Sequence, residues 1–169
     1  MASAMEFRIE TERLILEPAK ASDARSLHDV LSDQDHMRFT ASTADFAASQ
    51  RYFRSLEQHW RRHGFGAWTL VHRQTSETLG WGGLIMDEDE PGWGPELVYF
   101  LAPSFTGKGY AYEMAKAATV WGFETLGLDK ICAFAKQDNR PSQRLLVKLG
   151  FRKVRFVASL KRDYFERLP

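Results

Sequence analysis

Apolar residues change their spacing several times along the chain, and this pattern predicts the order of helices and strands. The run Leu14–Leu16 is short, is followed by Pro18 and predicts a first strand. Next, Ser22–Asp23 precedes apolar residues at helical spacing, which predicts a first helix. A second helix is predicted from Asp45 to His63, ending at Gly64. Its apolar positions recur at threes, fours and sevens: Phe46, Phe53, Leu56 and Trp60.

The middle of the chain has the pattern of strands. The segment Ala67–His72 is rich in β-forming residues, and the polar run Gln74–Glu77 predicts a hairpin turn. Two further strands are predicted, at Thr78–Met86 and Glu96–Leu101, with the acidic loop Asp87–Gly92 between them. This part therefore forms three neighbouring strands of one sheet.

The last third alternates helices and strands. A helix follows residues 104–109 and ends at Gly127, and a second helix begins at Asn139 and ends at Gly150. The predicted strands are Lys130–Ala135, Phe151–Ser159 and Tyr164–Phe165. The mixed order argues against a regular βαβ repeat. It predicts an α+β fold with a mixed central sheet and helices on both faces.

Composition limits the classes of protein that the chain can belong to. Its 169 residues are 44% hydrophobic and 13% aromatic, which predicts one packed domain over residues 1–169. A net charge of +1 argues against nucleic-acid binding. No run approaches the ~20 apolar residues of a membrane-spanning helix, and the first residues lack the pattern of a secretory signal.

Cysteine and histidine usage points to a reducing cytoplasm and to no bound metal. Cys132 is the single cysteine, so an internal disulfide and a multi-cysteine metal site are excluded. Two of the five histidines, His59 and His63, have the i, i+4 spacing of helical metal ligands. No third ligand accompanies them, so no metal site is predicted.

The most informative segment is the glycine-containing loop Ser104–Ala111, between a strand and a helix. The N-terminus of a helix presents unpaired N–H groups and partial positive charge, and glycines let a ligand approach the backbone closely. A phosphate or diphosphate is therefore the expected ligand. The dinucleotide-binding motif does not fit, because Tyr112 stands at its third glycine, and the P-loop lacks its upstream glycine.

This segment resembles the GNAT superfamily of acetyl-CoA-dependent acyltransferases, in the branch of the ribosomal-protein N-terminal acetyltransferases. Ser104 departs from the family's Gln or Arg at the first motif position, but the Gly-Lys-Gly-Tyr-Ala run matches that branch. Three further matches lie at Thr11–Leu14, Leu79–Gly80 and Asn139–Phe151. The resemblance covers roughly residues 11–155 and implies a GNAT domain whose two parallel strands splay apart at the coenzyme A site.

The resemblance also implies which residues bind acetyl-CoA. The diphosphate is expected at Thr106, Gly107, Lys108, Gly109, Tyr110 and Ala111. The pantetheine arm is expected between strands 96–101 and 130–136, held by the backbone of Phe100 and Leu101. Asn139 is expected to bridge the splayed strands, to cap its own helix, or to do both.

Acyl transfer to an amine needs a base and a way to accommodate the leaving thiolate. By the resemblance, Glu96 is the expected base and Ser142 the expected acid near the sulfur. The plainer alternatives are a solvated carboxylate at a strand end and a hydroxyl in a first helical turn. Attack without a dedicated base also stays open. Cys132 lies in an apolar strand, where a thiol is usually inert.

The resemblance thus implies an N-acetyltransferase that moves an acetyl group from acetyl-CoA to a primary amine in a ternary complex. The alternative is a non-catalytic acyl-CoA-binding or regulatory module of the same fold. The acceptor amine is expected on a small molecule or at a protein N-terminus, and the resemblance also implies a homodimer. The acidic run Asp87–Glu90 borders the expected acceptor side, as Trp93 does, and a basic C-terminal region leaves open a contact with an acidic partner or RNA.

Overall fold

The computed structural model describes residues 7–169, and the predicted domain's first six residues lie outside the described part. Within it, eight strands form one sheet in the order β1-β2-β3-β4-β5-β6-β8-β7. The strands are β1 Ile9–Glu10, β2 Leu14–Pro18, β3 Ala67–His72, β4 Thr78–Ile85, β5 Glu96–Leu101, β6 Ile131–Ala135, β7 Arg152–Val157 and β8 Arg162–Arg167. The helices are α1 Ala24–Ser32, α2 Phe46–His63, α3 Tyr110–Glu124 and α4 Arg140–Lys148.

The two central strands β5 and β6 are parallel, whereas the other neighbouring strands of the sheet are antiparallel. In the described chain, the register of β5 with β6 consists of one pair, Glu96 with Cys132. The Cys132 N–H donates to the Pro95 carbonyl at 2.9 Å. Beyond this point the strands part, so the predicted splay is present.

Helices cover both faces of the sheet, as the sequence predicts. One buried cluster joins α1 and α2 to the sheet through Leu27, Phe53 and Trp81. The other joins α3 and α4 to the opposite face through Met114 and Leu146. Burying an apolar side chain of this size contributes roughly 1.5–3 kcal/mol, so the two clusters hold the helices against the sheet.

Capping residues mark the helix ends. The Asp45 side chain accepts from the Ala48 N–H at 2.7 Å and starts α2, and Gly64 ends it with a left-handed backbone, φ 71°. The Asn139 side chain accepts from the Ser142 N–H at 3.3 Å. Asn139 is therefore the N-cap of α4, which agrees with one of its two interpretations.

Some boundaries differ from the predicted ones. The short strand β1 pairs with β2 but is too brief to show a pattern in sequence. The strand predicted over Phe151–Ser159 is shorter, because a turn begins after Val157, and β8 extends well beyond Tyr164–Phe165. Helix α3 stops at Glu124, before Gly127, because the Leu126 and Leu128 N–H groups fold back onto helix carbonyls.

Candidate active site

A cavity of about 620 Å³ opens where β5 and β6 separate. The glycine loop, the first turn of α4 and the segment His36–Thr40 form its other walls. Most of the predicted site residues line it: Glu96, Phe100, Leu101, Thr106, Gly107, Gly109, Ala111, Asn139 and Ser142. Elements that are distant in sequence therefore meet where β5 and β6 leave main-chain groups unpaired between them.

The glycine loop ends in a helix N-terminus that faces this cavity. Gly107 and Gly109 have φ values of 73° and 84°, which side chains with a Cβ rarely adopt. The Glu113 N–H donates to the Gly109 carbonyl at 3.0 Å as the first bond of the helix, which leaves the N–H groups of Tyr110 and Ala111 available for a ligand. Thr106 differs, because its N–H and hydroxyl both donate to Pro103.

An ion pair that sequence reasoning did not single out fixes this loop. The Arg13 side chain donates to Glu113 at 2.7 Å and to the Lys108 carbonyl at 2.9 Å. Its guanidinium also lies 4.4 Å from the centre of the Tyr110 ring. The Thr11 hydroxyl donates to the same carboxylate at 2.6 Å. Burial opposes ionisation of Glu113, but the hydrogen bonds from Thr11 and Arg13 outweigh it and lower its pKa.

The backbone of β5 presents alternate residues to the gap. The Phe100 carbonyl lies against Gly80 of β4, and the Ala102 N–H donates to the Leu79 carbonyl at 2.7 Å. Since backbone groups alternate along a strand, the main chains of Tyr99 and Leu101 face the gap. The Phe100 main chain was predicted to hold the pantetheine arm. It instead points toward β4 and pairs within the sheet. His36 Nε2 donates to the Leu101 carbonyl at 2.6 Å.

Glu96 lies at the edge of the cavity where β5 and β6 are joined. Burial raises its pKa to about 7, although Arg162 acts in the opposite direction, and Asp87 raises it further. A carboxylate with this pKa holds and releases a proton near neutrality, as a general base must. Tyr52 lies nearby, and burial raises the pKa of this phenol to about 12.

Ser142 faces the same cavity from the first turn of α4. Its hydroxyl lies 2.7 Å from the hydroxyl of Tyr99, a residue that sequence reasoning did not select. Burial raises the pKa of Tyr99 to about 12, so its phenol stays protonated at neutral pH. The alternation of side chains would have indicated that Tyr99 shares a sheet face with Leu97 and Leu101. The contact with α4 could not be read from sequence.

The two candidate catalytic groups lie on opposite faces of β5. Leu97, Tyr99 and Leu101 pack in or against the cluster under α3 and α4. Phe100 packs against the cluster under α1 and α2, and Glu96 has the same parity along the strand. A group threaded through the gap would therefore meet the carboxyl group from one side and the paired hydroxyls from the other.

Other candidates have structural roles. Cys132 is buried, and burial raises the pKa of its thiol to about 12, so it is not a ready nucleophile. His59 donates through Nδ1 to the Phe65 carbonyl and accepts at Nε2 from the Met86 N–H, both at 2.9 Å, which leaves no ring nitrogen for a metal. Trp93 packs on Phe134 and Tyr164.

Charged residues outside the cavity also have partners. Lys153 pairs with the buried Asp163 at 2.7 Å, and Arg155 lies over the Trp93 ring at 5.0 Å. Glu88 of the acidic loop pairs with Arg62 at 2.7 Å and with His63 at 2.9 Å. Among residues 7–169, no helix is both long and apolar enough to cross a bilayer, and no three potential ligand side chains converge as a metal site.

Comparisons with known proteins agree with this geometry. Residues 13–152 match the model of the acetyltransferase (GNAT) domain. An uncharacterised N-acetyltransferase of Bacillus subtilis, YjdG, is 31% identical over 153 residues, which cover 85% of this chain and 88% of that protein. Similar relatives are thus named as enzymes that transfer acyl groups to nitrogen.

Two solved structures share the fold at low sequence identity. The ribosomal-protein-S5-alanine acetyltransferase of Vibrio fischeri has a TM-score of 0.76 and 18% identity, covering 95% of this chain and 96% of its own. The spermidine N-acetyltransferase of Vibrio cholerae, solved with CoA and spermine, has a TM-score of 0.73 and 19% identity, covering 94% and 96%. By its family match, its relatives and its splayed sheet, the chain belongs to the GNAT acetyltransferase family.

Proposed function

We propose that the protein transfers an acetyl group from acetyl-CoA to a primary amine, with both substrates bound at the same time. The observation that carries this proposal is the gap between β5 and β6. It is open to ligand main-chain pairing, it has a helix N-terminus at one end, and Glu96 and Ser142 lie on its opposite faces. This arrangement suits a long, flexible thioester carrier with a diphosphate.

The coenzyme A moiety of acetyl-CoA would extend from the glycine loop into the gap. Backbone N–H groups from Gly107 to Ala111 would bind the diphosphate, with the charge of Lys108 beside them. Lys108 and Tyr110 support that loop rather than line the cavity. The pantetheine arm would pair with the main chains of Tyr99 and Leu101, and it would compete with His36 for the Leu101 carbonyl.

The reaction then needs three contributions from the chain. Glu96, directly or through a water, takes a proton from the ammonium group, and the neutral nitrogen attacks the thioester carbon. A main-chain N–H in the gap stabilises the resulting oxyanion, which is worth about 3 kcal/mol for a well-placed donor. When the C–S bond breaks, its electron pair stays on sulfur, and the Ser142 hydroxyl donates a hydrogen bond to the thiolate. The second proton of the nitrogen then passes to the thiolate as the amide forms.

Direct transfer is favoured over a covalent acyl-enzyme. Cys132, the single cysteine, is fully buried, and its S–H has the Gly94 carbonyl as a distant partner at 3.9 Å. Its raised pKa keeps it protonated. Burial of the thiol therefore supports a ternary complex.

The acceptor is proposed as a primary amine of a small molecule or a protein N-terminus. The negative charge of Asp87 contributes to the raised pKa of Glu96, and the same charge would attract an ammonium group. A reducing cytoplasm is the expected location, and neither a metal, a nucleic acid nor a membrane is part of the proposed reaction. A homodimer stays a prediction of the family resemblance.

Thiol release from acetyl-CoA, measured against a broad panel of amines, tests the proposal. We expect turnover with at least one amine, formation of the N-acetyl product by mass spectrometry, and a large loss of rate in Glu96→Gln. Tight CoA binding without turnover on the whole panel would favour the alternative, a non-catalytic acyl-CoA-binding or regulatory module. Burst release of one equivalent of CoA without an amine would favour a covalent intermediate.

A further inference from the structure

Tyr99 and Ser142 form a contact between the middle of β5 and the first turn of α4. Their hydroxyl oxygens are 2.7 Å apart, a normal length for a strong O–H···O bond. A second approach, from the Tyr99 hydroxyl to the Ser142 carbonyl, is 3.5 Å and much weaker. The pair therefore shares one good hydrogen bond, and the question is which hydroxyl donates it.

The chemistry of the two groups favours Tyr99 as the donor. A phenol is more acidic than an aliphatic alcohol, so it is the better donor of the two. Burial raises the pKa of Tyr99 to about 12, which keeps its proton in place over the working pH range. The serine oxygen can accept this bond and still has its own hydrogen to direct elsewhere.

The Ser142 hydroxyl hydrogen is then available to donate to a group other than Tyr99. A serine in a helix commonly bonds back to a carbonyl of the preceding turn. Among the described residues, Ser142 Oγ makes a hydrogen bond with the Tyr99 hydroxyl and with no backbone carbonyl. Ser142 lines the cavity, so when its oxygen accepts from Tyr99 its own O–H is free to turn toward the space between the strands.

We propose that Tyr99 is a positioning residue: its phenol donates to Ser142 Oγ and thereby aims the serine hydrogen at the sulfur of the bound coenzyme. This inference rests on the proposed function. The C–S electron pair moves to sulfur, the thiolate accepts the Ser142 hydrogen bond, and Tyr99 keeps its proton. One proton of the ammonium group goes to Glu96 and a second passes to the thiolate as the amide forms, so no further reactant is needed.

The pKa of the CoA thiol in the complex depends directly on this arrangement. A hydroxyl aimed at sulfur stabilises the thiolate and lowers the pKa of the CoA thiol in the complex. CoA should therefore bind more tightly, relative to desulfo-CoA, as the pH rises. Desulfo-CoA has the same diphosphate and pantetheine groups but no sulfur, so changes in the shape of the site affect both ligands equally.

The experiment measures the dissociation constants of CoA and desulfo-CoA by calorimetry from pH 6.5 to 9, in wild type, Tyr99→Phe, Ser142→Ala and Tyr52→Phe. We expect the preference for CoA to grow with pH in wild type and to stay flat in Ser142→Ala. Tyr99→Phe should lose most of that growth while binding desulfo-CoA within about twofold of wild type. Tyr52→Phe removes another buried phenol, from α2, and should keep the wild-type pH dependence.

Rates give the second readout. Tyr99→Phe should lower kcat about tenfold, roughly 1.4 kcal/mol, and the double variant with Ser142→Ala should be no slower than Ser142→Ala alone. Additive losses, or a Tyr99→Phe variant with the full wild-type pH preference, would overturn the inference while leaving acetyl transfer intact. No CoA binding by the wild type, or no turnover on any amine, would instead remove the proposed function.

Discussion

Glu96 of β5 is paired with Cys132 of β6 at the point where these parallel strands begin to separate. The pairing places Glu96 at the edge of the cavity, beside a strand position, Cys132, that is fully buried. Burial is the largest cause of the rise in its pKa to about 7. The same strand junction therefore creates the gap and sets the proton affinity of the group beside it.

If Glu96 is the base, the pH dependence of kcat/KM should follow its ionisation. Activity should rise with pH through about 7, because only the deprotonated carboxylate can accept the amine's proton. Glu96→Gln should lower kcat by about 100-fold or more and remove this inflection. Glu90→Gln makes the same change of charge at an exposed residue of the acidic loop. As a control, it should keep the wild-type pH dependence. An inflection that survives in Glu96→Gln would show that another group titrates.

Glu96 should also reduce stability at high pH. Its pKa is raised from 4.5 to about 7 in the folded state, so the folded protein binds the extra proton between these values. Stability from this group is present below pH 4.5 and is lost as the pH rises through 7. Allowing for screening by cavity water, Glu96→Gln should be more stable by about 2 kcal/mol at pH 8, or about 5 °C in Tm.

The measurement is the melting temperature of wild type and Glu96→Gln at pH 5, 6.5 and 8. The difference in Tm should grow across this range and be small at pH 5. A difference that stays constant with pH would contradict the raised pKa, since a packing effect of the glutamine does not titrate.

Gly107 should be required for coenzyme binding. Its φ of 73° is unfavourable for other residues, and a Cβ there would meet no protein atom within 4 Å, so it would project into the space offered to a ligand. Gly107→Ala should weaken CoA binding at least tenfold in calorimetry. Gly127→Ala is the matched control, because Gly127 also has a left-handed backbone, φ 65°, and open space, but lies beyond the other end of α3.

Both glycine variants should lose about 1 kcal/mol of stability through backbone strain, and Gly127→Ala should keep wild-type CoA affinity. Equal effects of the two variants on CoA binding would mean that the loss comes from general destabilisation. Unchanged affinity in Gly107→Ala would remove the glycine loop from the binding site.

The ion pair of Arg13 with Glu113 should support coenzyme binding through the loop. Glu113→Gln keeps the shape but loses the charge, so the Lys108 carbonyl is held less firmly and the CoA dissociation constant should rise about fivefold. Glu57→Gln is the control: Glu57 also joins an arginine and a backbone N–H, but on α2. A wild-type dissociation constant in Glu113→Gln would leave the ion pair as a purely structural contact.

The pKa of Glu113 is lowered, so its contribution to stability is present at neutral pH and is lost as the pH falls through that lowered value. The melting temperature of Glu113→Gln should therefore approach that of wild type in acid. A gap in Tm that persists unchanged to pH 3 would contradict the stated role of the charge.

His59 holds the start of the acidic loop through the Met86 N–H, and this contact should weaken in acid. Its ring bridges the Phe65 carbonyl and the Met86 N–H in the neutral form, and burial lowers its pKa. Stability from this group is present above pH 6.5 and is lost as the pH falls below it, since protonation removes the acceptor for Met86. Wild type should lose Tm between pH 6.5 and 5 more steeply than His59→Gln. Parallel curves would contradict this role.

The order of the elements was readable from sequence because it depends on local periodicity and caps. Asp45 and Gly64 mark the ends of α2 through their own backbone preferences, and Asn139 caps α4 in the same way. The glycine loop was readable too, since Gly107 and Gly109 can adopt left-handed conformations that other residues rarely adopt. These features require no knowledge of which segments lie side by side.

The tertiary structure decided what depends on contacts between distant segments. Arg13 meets Glu113 across 100 positions, and Tyr99 meets Ser142 across 43, so neither pair leaves a periodic trace in the chain. The direction of the Phe100 carbonyl depends on which neighbour β5 pairs with, and the proton affinity of Glu96 depends on how deeply it is buried. Local chemistry selects the elements, whereas burial and orientation exist only after the elements have packed.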